Sequence, residues 1–448
     1  MLRLLFAAVL IAGALAVGVA AAADRPPNVV ILLADDAGYA DFSLHGKAAF
    51  PTPRIDSIAA HGVRCTDGYV SGCVCSPTRA GLLTGRYQQR FGHETNIPPA
   101  YSETNGLPLG ERTFADRMRA GGFRTIALGK WHLGYADPFH PLARGFDDYY
   151  GFLQGARSYF PLEKPSRLNR LLRDREPVPE AFAYMTDELG REAAARIAAN
   201  RDRPFFMYVA FNAVHAPNDA LEKDLAAARA AGADRPQVAA MTIALDRAVG
   251  TVLDALDDHG LTDDTLVVFL NDNGGAIGRD NGDLRGRKGS LWEGGIRVPF
   301  VMQWPRRLPR GKVVEAPVIA LDLLPTALAA AGIRADGPPL DGVNLLPIVT
   351  GEAEQPPPRP LFWRAGRQWA VRDGGLKLVR VEDGPPLLFD LGVDRGEQQD
   401  LAGARPADAA RLRGLYEAWE SGMREPIEWD AGAGEDRPRR RRKASAAL

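Results

Sequence analysis

The chain has 448 residues, 46% hydrophobic and 25% charged, which is enough for one large core plus a smaller domain and too apolar for a disordered polymer. Its formal net charge of -1 gives no whole-molecule attraction to nucleic acid or acidic membranes, so no nucleic-acid partner is expected and any anion site has to be local.

Met1-Leu2-Arg3 opens an almost unbroken run of alanine, leucine and valine that ends in Ala21-Ala22-Ala23. One positive charge, an apolar run and small residues at the junction predict a secretory signal over 1–23, cleaved near Ala23, and an exported protein, periplasmic or secreted. An uncleaved anchor is the competing reading, because the run approaches the ~20 residues needed to span a bilayer. No later stretch is as long and apolar, so no stable membrane span is expected after signal cleavage.

Residues 28–34 form a continuous apolar run of strand length bounded by Pro27 and Asp35, as in a strand buried on both sheet faces. Comparable runs occur at 124–129, 204–211, 265–270 and 298–303, each ending at or beside charged or amide residues. Helical patterns fall between them, at 53–61, 112–120, 186–199, 237–258 and 321–331. Alternating strands and helices predict an α/β fold with a large, mainly parallel sheet flanked by helices, where ligands collect beyond the carboxyl ends of the strands. The proline-rich stretch Pro356-Pro357-Pro358-Arg359-Pro360 then breaks the pattern. Short strand-like pieces at 361–364, 368–372, 376–381 and 387–391, followed by a helix at 406–423, predict a small C-terminal α+β domain with an antiparallel sheet. The expected organisation is a signal at 1–23, a catalytic domain at 24–350, a small domain at 351–430 and a disordered basic tail at 431–448.

One short stretch organises the rest: Cys75-Ser76-Pro77-Thr78-Arg79-Ala80-Gly81-Leu82-Leu83-Thr84-Gly85-Arg86. Proline favours the first turn of a helix, so Cys75 is placed at a helix N-terminus, where free amide hydrogens and the dipole favour anions. Arg79, one turn on, adds positive charge on the same side. Read alone, Cys75 is either a buried small residue before a helix or an anion-handling nucleophile.

The stretch resembles the extended C-x-P-x-R motif of the type I sulfatases, formylglycine-dependent, arylsulfatase-like enzymes of the alkaline phosphatase superfamily. The resemblance extends from Asn28 to about Leu401 and implies that Cys75 is oxidised to formylglycine by a formylglycine-generating or anaerobic sulfatase-maturating enzyme. One hydroxyl of the aldehyde hydrate then attacks sulfur, and the other expels sulfate by re-forming the aldehyde. Cys65 and Cys73 remain as a candidate disulfide pair in an exported protein.

Asp35-Asp36 follows one predicted strand, and Asp272-Asn273-Gly274-Gly275 another. Each pair alone is compatible with a turn or helix cap. Together their hard oxygens suit calcium or magnesium better than zinc. They resemble the family's LLADDxG and NDNGG segments, which implies a calcium site, with magnesium the alternative, held by Asp35, Asp36, Asp272, Asn273 and the modified Cys75.

In Gly129-Lys130-Trp131-His132-Leu133-Gly134, lysine and histidine two positions apart on an extended chain face the same side. The segment resembles the family's GKWHLG, which implies that Lys130 binds a sulfate oxygen and that His132 handles the diol proton. His215 follows another predicted strand and matches a family histidine that protonates the leaving oxygen, a task suited to a group titrating near neutrality. Lys288, just before Glu293-Gly294-Gly295-Ile296-Arg297, is likewise implied to contact sulfate, and Arg79 to hold the Cys75 region. Glu293 and Arg297 read as a structural pair, and His93 as a candidate lining residue of the substrate pocket.

These readings predict an exported sulfuric ester hydrolase acting on sulfated carbohydrates or aryl sulfates. A phosphonate or phosphate ester hydrolase with the same nucleophile, and an inactive sulfated-glycan-binding protein, are the alternatives.

Overall fold

The computed structural model describes residues 25–429 except 46, 47, 49 and 382, so the predicted signal at 1–23 and the basic tail at 431–448 lie outside the described residues. Strand Asn28–Ala34, buried at every position, lies inside a ten-stranded sheet. Its Leu33 pairs with Ala210 and its Ala34 with Asn271, while Gly129 pairs with Ala210 on the far side. Four parallel strands, Asn28–Ala34, Arg124–Lys130, Phe205–Ala210 and Thr265–Asn271, therefore end at nearly one level. Asp35, Lys130, Phe211 and Asp272 leave the sheet there side by side.

Alternation sorts the strand's side chains into two cores. Val29, Ile31 and Leu33 pack with Ala80, Leu82, Phe114 and Leu324. Val30, Leu32 and Ala34 pack with Leu189, Ala193, Leu245 and Val249. The first face is thus covered by helices Cys75–Thr84, Phe114–Ala120 and Leu323–Ala330, and the second by Met185–Ala199 and Pro236–Asp258. Both faces being covered is why the central strands read as continuous apolar runs.

Element ends moved by one to three residues, some for evident local reasons. Thr113 caps the helix predicted from 112, with Asp116 completing a capping box. The strand predicted from 298 begins at Phe300, after a proline that has no amide hydrogen for the ladder. That strand runs antiparallel to Thr265–Asn271 and to Val63–Cys65, a three-residue strand too short for its period to be read.

The small C-terminal sheet is an antiparallel meander of Leu361–Ala365, Gln368–Asp373, Leu376–Arg380 and Leu387–Asp390, with helix Pro406–Glu420 laid on it. Trp369 stacks on Tyr416 of that helix with centroids 4.5 Å apart. The sheet shares a core with Tyr69, Trp292 and Ile296 of the larger part. A buried ionic cluster lies at this junction. Lys377 Nζ is 2.9 Å from Glu293 and 2.8 Å from Glu397, and Arg297 lies 3.2 Å from Glu293. Glu293 and Arg297 are therefore the structural pair expected, and they anchor the turn whose Gly295 carbonyl accepts from Gly274 beside Asn273.

Burial, together with the negative charge of Glu293, pushes Glu397 up to about 7 against the opposing pull of Lys377. The folded state therefore holds this proton more tightly than the unfolded chain does. The stability it contributes is full below the ordinary value of 4.5 and is lost as pH rises toward 7. Glu397→Gln keeps the acceptor and removes that loss. Between pH 5 and pH 8 the variant should gain roughly 2–4 kcal/mol relative to the natural chain in urea unfolding. A difference that does not grow with pH would contradict this origin.

Candidate active site

Cys75 is the first residue of helix Cys75–Thr84, every residue of which is buried. The preceding Val74 is extended, so the cysteine side chain emerges at the helix N-terminus, as Pro77 implied. Its Sγ lies 3.5 Å from Asp35 Oδ1, 4.0 Å from Asp36 Oδ1 and 3.2 Å from Lys288 Nζ. Burial, reinforced by the charges of Asp272, Asp35 and Asp36, holds the thiol far above its ordinary range. Unmodified, this sulfur is a protonated and poor nucleophile at neutral pH.

Three carboxylates and three cations surround it. Lys130 Nζ donates to Asp35 Oδ2 at 2.5 Å, Lys288 Nζ to Asp36 Oδ1 at 2.5 Å, and Arg79 Nη2 to Asp272 Oδ2 at 2.8 Å. Arg79 Nη1 also donates to the Lys130 carbonyl at 3.0 Å, tying the motif helix to a strand end. Burial raises Asp35, and the nearby Asp272 charge adds to the rise despite Lys130. Asp272 is pushed up by burial but ends below its ordinary range, because Arg79, Lys130 and Lys288 outweigh that push. Arg79 and Lys288, both ordinarily lowered by such burial, are held charged by the surrounding acids.

The donor set fits a hard cation. Ligand atoms of Asp35, Asp36, Cys75 and His215 all lie within 4.8 Å of one another. Asn273 donates from Nδ2 to Asp36 Oδ1 at 2.9 Å, which leaves its Oδ1 buried with no partner. A buried carbonyl-type oxygen beside paired carboxylates is a donor of the kind that suits a hard divalent cation. Asp272 is turned differently. Its Oδ2 takes Arg79, and its Oδ1 faces the Asp36 amide at 3.4 Å.

The histidines reach the site by separate routes. His215 Nε2 lies 3.6 Å from Asp36 Oδ2, and its loop is bound to Asp35 by reciprocal backbone hydrogen bonds through Ala213 and Val214. His132 does not arrive by strand alternation. The strand stops at Lys130, and His132 has a left-handed backbone with φ 59°. Its ring packs against Gly155, where a Cβ would stand 2.6 Å from the imidazole, so only glycine fits. Burial, followed by the positive charges of Lys130 and Arg79, holds His132 well below its ordinary range and therefore neutral.

His93 is corrected from a pocket-lining residue to a buried support. Its Nε2 lies 2.7 Å from Ser76 Oγ, its ring meets Trp429 edge-on, and burial alone holds it neutral, down to about 3. Ser76 Oγ donates to the His132 carbonyl at 2.7 Å, and Asn96 Oδ1 accepts from the Ser76 amide at 2.9 Å. These supports escaped sequence reading, since Ser76 occupies a variable motif position and Asn96 sits in an unpatterned loop. Cys65, Cys73 and Cys75 are all free in this structure, so the expected pairing of Cys65 with Cys73 is not present. Cys65 lies in the first main core and Cys73 in the C-terminal one.

Above Asp36 and Lys288 a cleft of about 500 Å³ opens to solvent, with Arg279 and Arg287 on its walls. Backbone bonds from Lys288 to Gly275 and from Gly289 to Cys73 clamp the loop that forms one side.

Fold and site together define a hydrolase of the sulfuric ester class, within the alkaline phosphatase superfamily. The chain belongs to the sulfatase family, whose model matches residues 27–333. It is 34% identical to human arylsulfatase A over 90% of this chain and 89% of that one. It is 33% identical to N-acetylgalactosamine-6-sulfatase of Canis lupus familiaris over 78% of this chain and 70% of that one. Among solved structures, Ps i-CgsB in complex with k-i-k-neocarrahexaose superposes with a TM-score of 0.86 at 34% identity, over 90% of this chain and 95% of that one.

Proposed function

We propose that the protein is an exported sulfatase that hydrolyses sulfate monoesters of saccharides to alcohol and inorganic sulfate through a formylglycine derived from Cys75. The observation that carries this reading is the convergence on Cys75 Sγ of Asp35, Asp36 and Lys288 within 4.0 Å, around a thiol too basic to act unmodified. The formylglycine hydrate supplies an attacking hydroxyl and, through its second hydroxyl, a release route that needs no external nucleophile. A formylglycine-generating or anaerobic sulfatase-maturating enzyme is the partner this requires. Export rests on the apolar run of residues 1–23.

Calcium, or magnesium in its place, would be held by Asp35, Asp36, Asp272 and Asn273 with the modified Cys75, and would offset charge on the sulfate. Lys288 ends at Cys75 and Lys130 at the adjoining Asp35, and both act on the sulfate oxygens, where fixed positive charge stabilises the transferring group at no reorganisation cost. Arg79 is buried and fully bonded, so its part is to hold the motif helix against Asp272 and Lys130. His132, neutral and buried, takes a proton from the nucleophile in this reading. His215, part-buried beside Asp36, gives one to the leaving oxygen as the S–O bond breaks.

Saccharide sulfates are the favoured substrates because two of the relatives above carry saccharides in their names: a sulfatase of N-acetylgalactosamine 6-sulfate and a protein crystallised with neocarrahexaose. Protein co-expressed with a maturating enzyme should hydrolyse 4-nitrophenyl sulfate in preference to a phenylphosphonate monoester. Chelation with EGTA should lower that turnover by about a hundredfold or more, with recovery on added calcium. Faster phosphonate turnover, or full activity in chelator, would count against the proposal.

A further inference from the structure

Two arginines on the cleft walls have no role in the machinery described above. Arg279 is only 8% exposed, yet among the described residues it forms no ion pair with a carboxylate. Its Nη2 donates to the Val214 carbonyl and, at 2.9 Å, to Asn218 Oδ1, while its Nε is buried with no partner. A guanidinium taken out of water without a counter-charge is costly, several kcal/mol for an unpaired ion. Arg287 is exposed at the same cleft, and its guanidinium has no hydrogen bond or ion pair among the described residues. Beside them on the cleft wall Ile277 is 78% exposed, an apolar side chain open to a ligand.

The reacting sulfate is served by other cations, since Lys288 reaches Cys75 and Lys130 reaches the adjoining Asp35. We propose that Arg279 and Arg287 form a second anion subsite, which recognises a further sulfate or carboxylate on a multiply charged saccharide whose scissile ester lies at Cys75. This inference rests on the sulfatase reading and deepens it, naming polyanionic saccharides as the substrate class. The exposed planar fork of Arg287 suits bidentate capture of a tetrahedral or planar oxyanion, and the buried guanidinium of Arg279 adds uncompensated positive charge beside it. Charge-assisted hydrogen bonds of this kind imply a preference of roughly tenfold or more for the doubly charged ligand.

The test is competition against 4-nitrophenyl sulfate hydrolysis by the mature, calcium-loaded protein. The competitors are galactose and N-acetylgalactosamine monosulfates, each set beside the corresponding disulfates. At least one disulfate should inhibit roughly tenfold more tightly than its monosulfate, and Arg287→Gln should compress that ratio below about threefold. Arg279→Lys should compress it too, because the ammonium loses the fork. If Arg279 only props the His215 loop through Val214 and Asn218, Arg279→Lys will lower kcat and leave the ratio intact, which would remove it from the subsite. The proposal is overturned if no disulfate exceeds its monosulfate, or if the ratio survives Arg287→Gln. Absence of 4-nitrophenyl sulfate turnover by the natural, modified chain would instead strike at the sulfatase reading itself.

Discussion

Cys75→Ala is expected to leave a folded protein whose sulfatase turnover is lower by roughly 10⁵–10⁶-fold, the scale seen when an enzyme loses its nucleophile. Among the described residues its thiol makes polar contacts only with groups of the site, namely Asp35, Asp36 and Lys288, so its loss removes chemistry rather than scaffold. Cys75→Ser separates the two halves of the mechanism. A serine hydroxyl in the same place, beside Lys288 and Asp35, can accept the sulfuryl group but has no second hydroxyl with which to expel it. One equivalent of 4-nitrophenol should then appear, and the residue-75 peptide should gain the mass of a sulfate ester. Multiple turnovers by either variant would show that the nucleophile lies elsewhere.

Asp272→Ala carries the largest expected stability effect. Arg79 is fully buried and is satisfied by Asp272 at 2.8 and 3.1 Å, with Asp35 a more distant 3.7 Å away. Removing one partner of such a pair strands the other charge, at a cost of about 3–5 kcal/mol. That is a large part of the ~5–15 kcal/mol that holds a domain folded. Because the penalty comes from the stranded guanidinium, Asp272→Ala combined with Arg79→Met should lose less than the sum of the single losses. Urea midpoints for the four proteins measure this cycle. A single-variant loss under about 1 kcal/mol would mean that water or another carboxylate compensates Arg79.

Much of the fold was readable because the central strands are buried on both faces and so carry uninterrupted apolar runs. Asn28–Ala34 was readable to the residue, and the acids beyond it came with it. The register that sets Ala34 level with Asn271, and so joins Asp35 and Asp36 to Asp272 and Asn273, is a long-range pairing that local pattern does not encode. Short elements such as Val63–Cys65 and the edge strand Lys312–Val314 hold too few residues to show a period. Helix Glu222–Ala230 was missed because it buries only Asp224 and Ala228, leaving no apolar stripe to see.

In the site, residue types were more legible than geometry. Lys130 reaches Asp35 from the end of a strand, but His132 is delivered by a left-handed turn that alternation does not describe. His93 read as a candidate lining residue of the substrate pocket and proved to be wholly buried under Trp429. Arg279 and Arg287 stand in loop sequence with no motif to mark them. Only the three-dimensional cleft distinguishes an arginine without a counter-ion from the many that have one.

The most direct test of the account compares, across batches matured to different extents, specific activity on 4-nitrophenyl sulfate with the mass of the peptide containing residue 75. Conversion exchanges the sulfur and two hydrogens of that side chain for one oxygen, and activity should rise in proportion to the converted fraction, extrapolating to zero in unconverted protein. Turnover by protein whose Cys75 is wholly unconverted, or none by fully converted protein supplied with calcium, would contradict it.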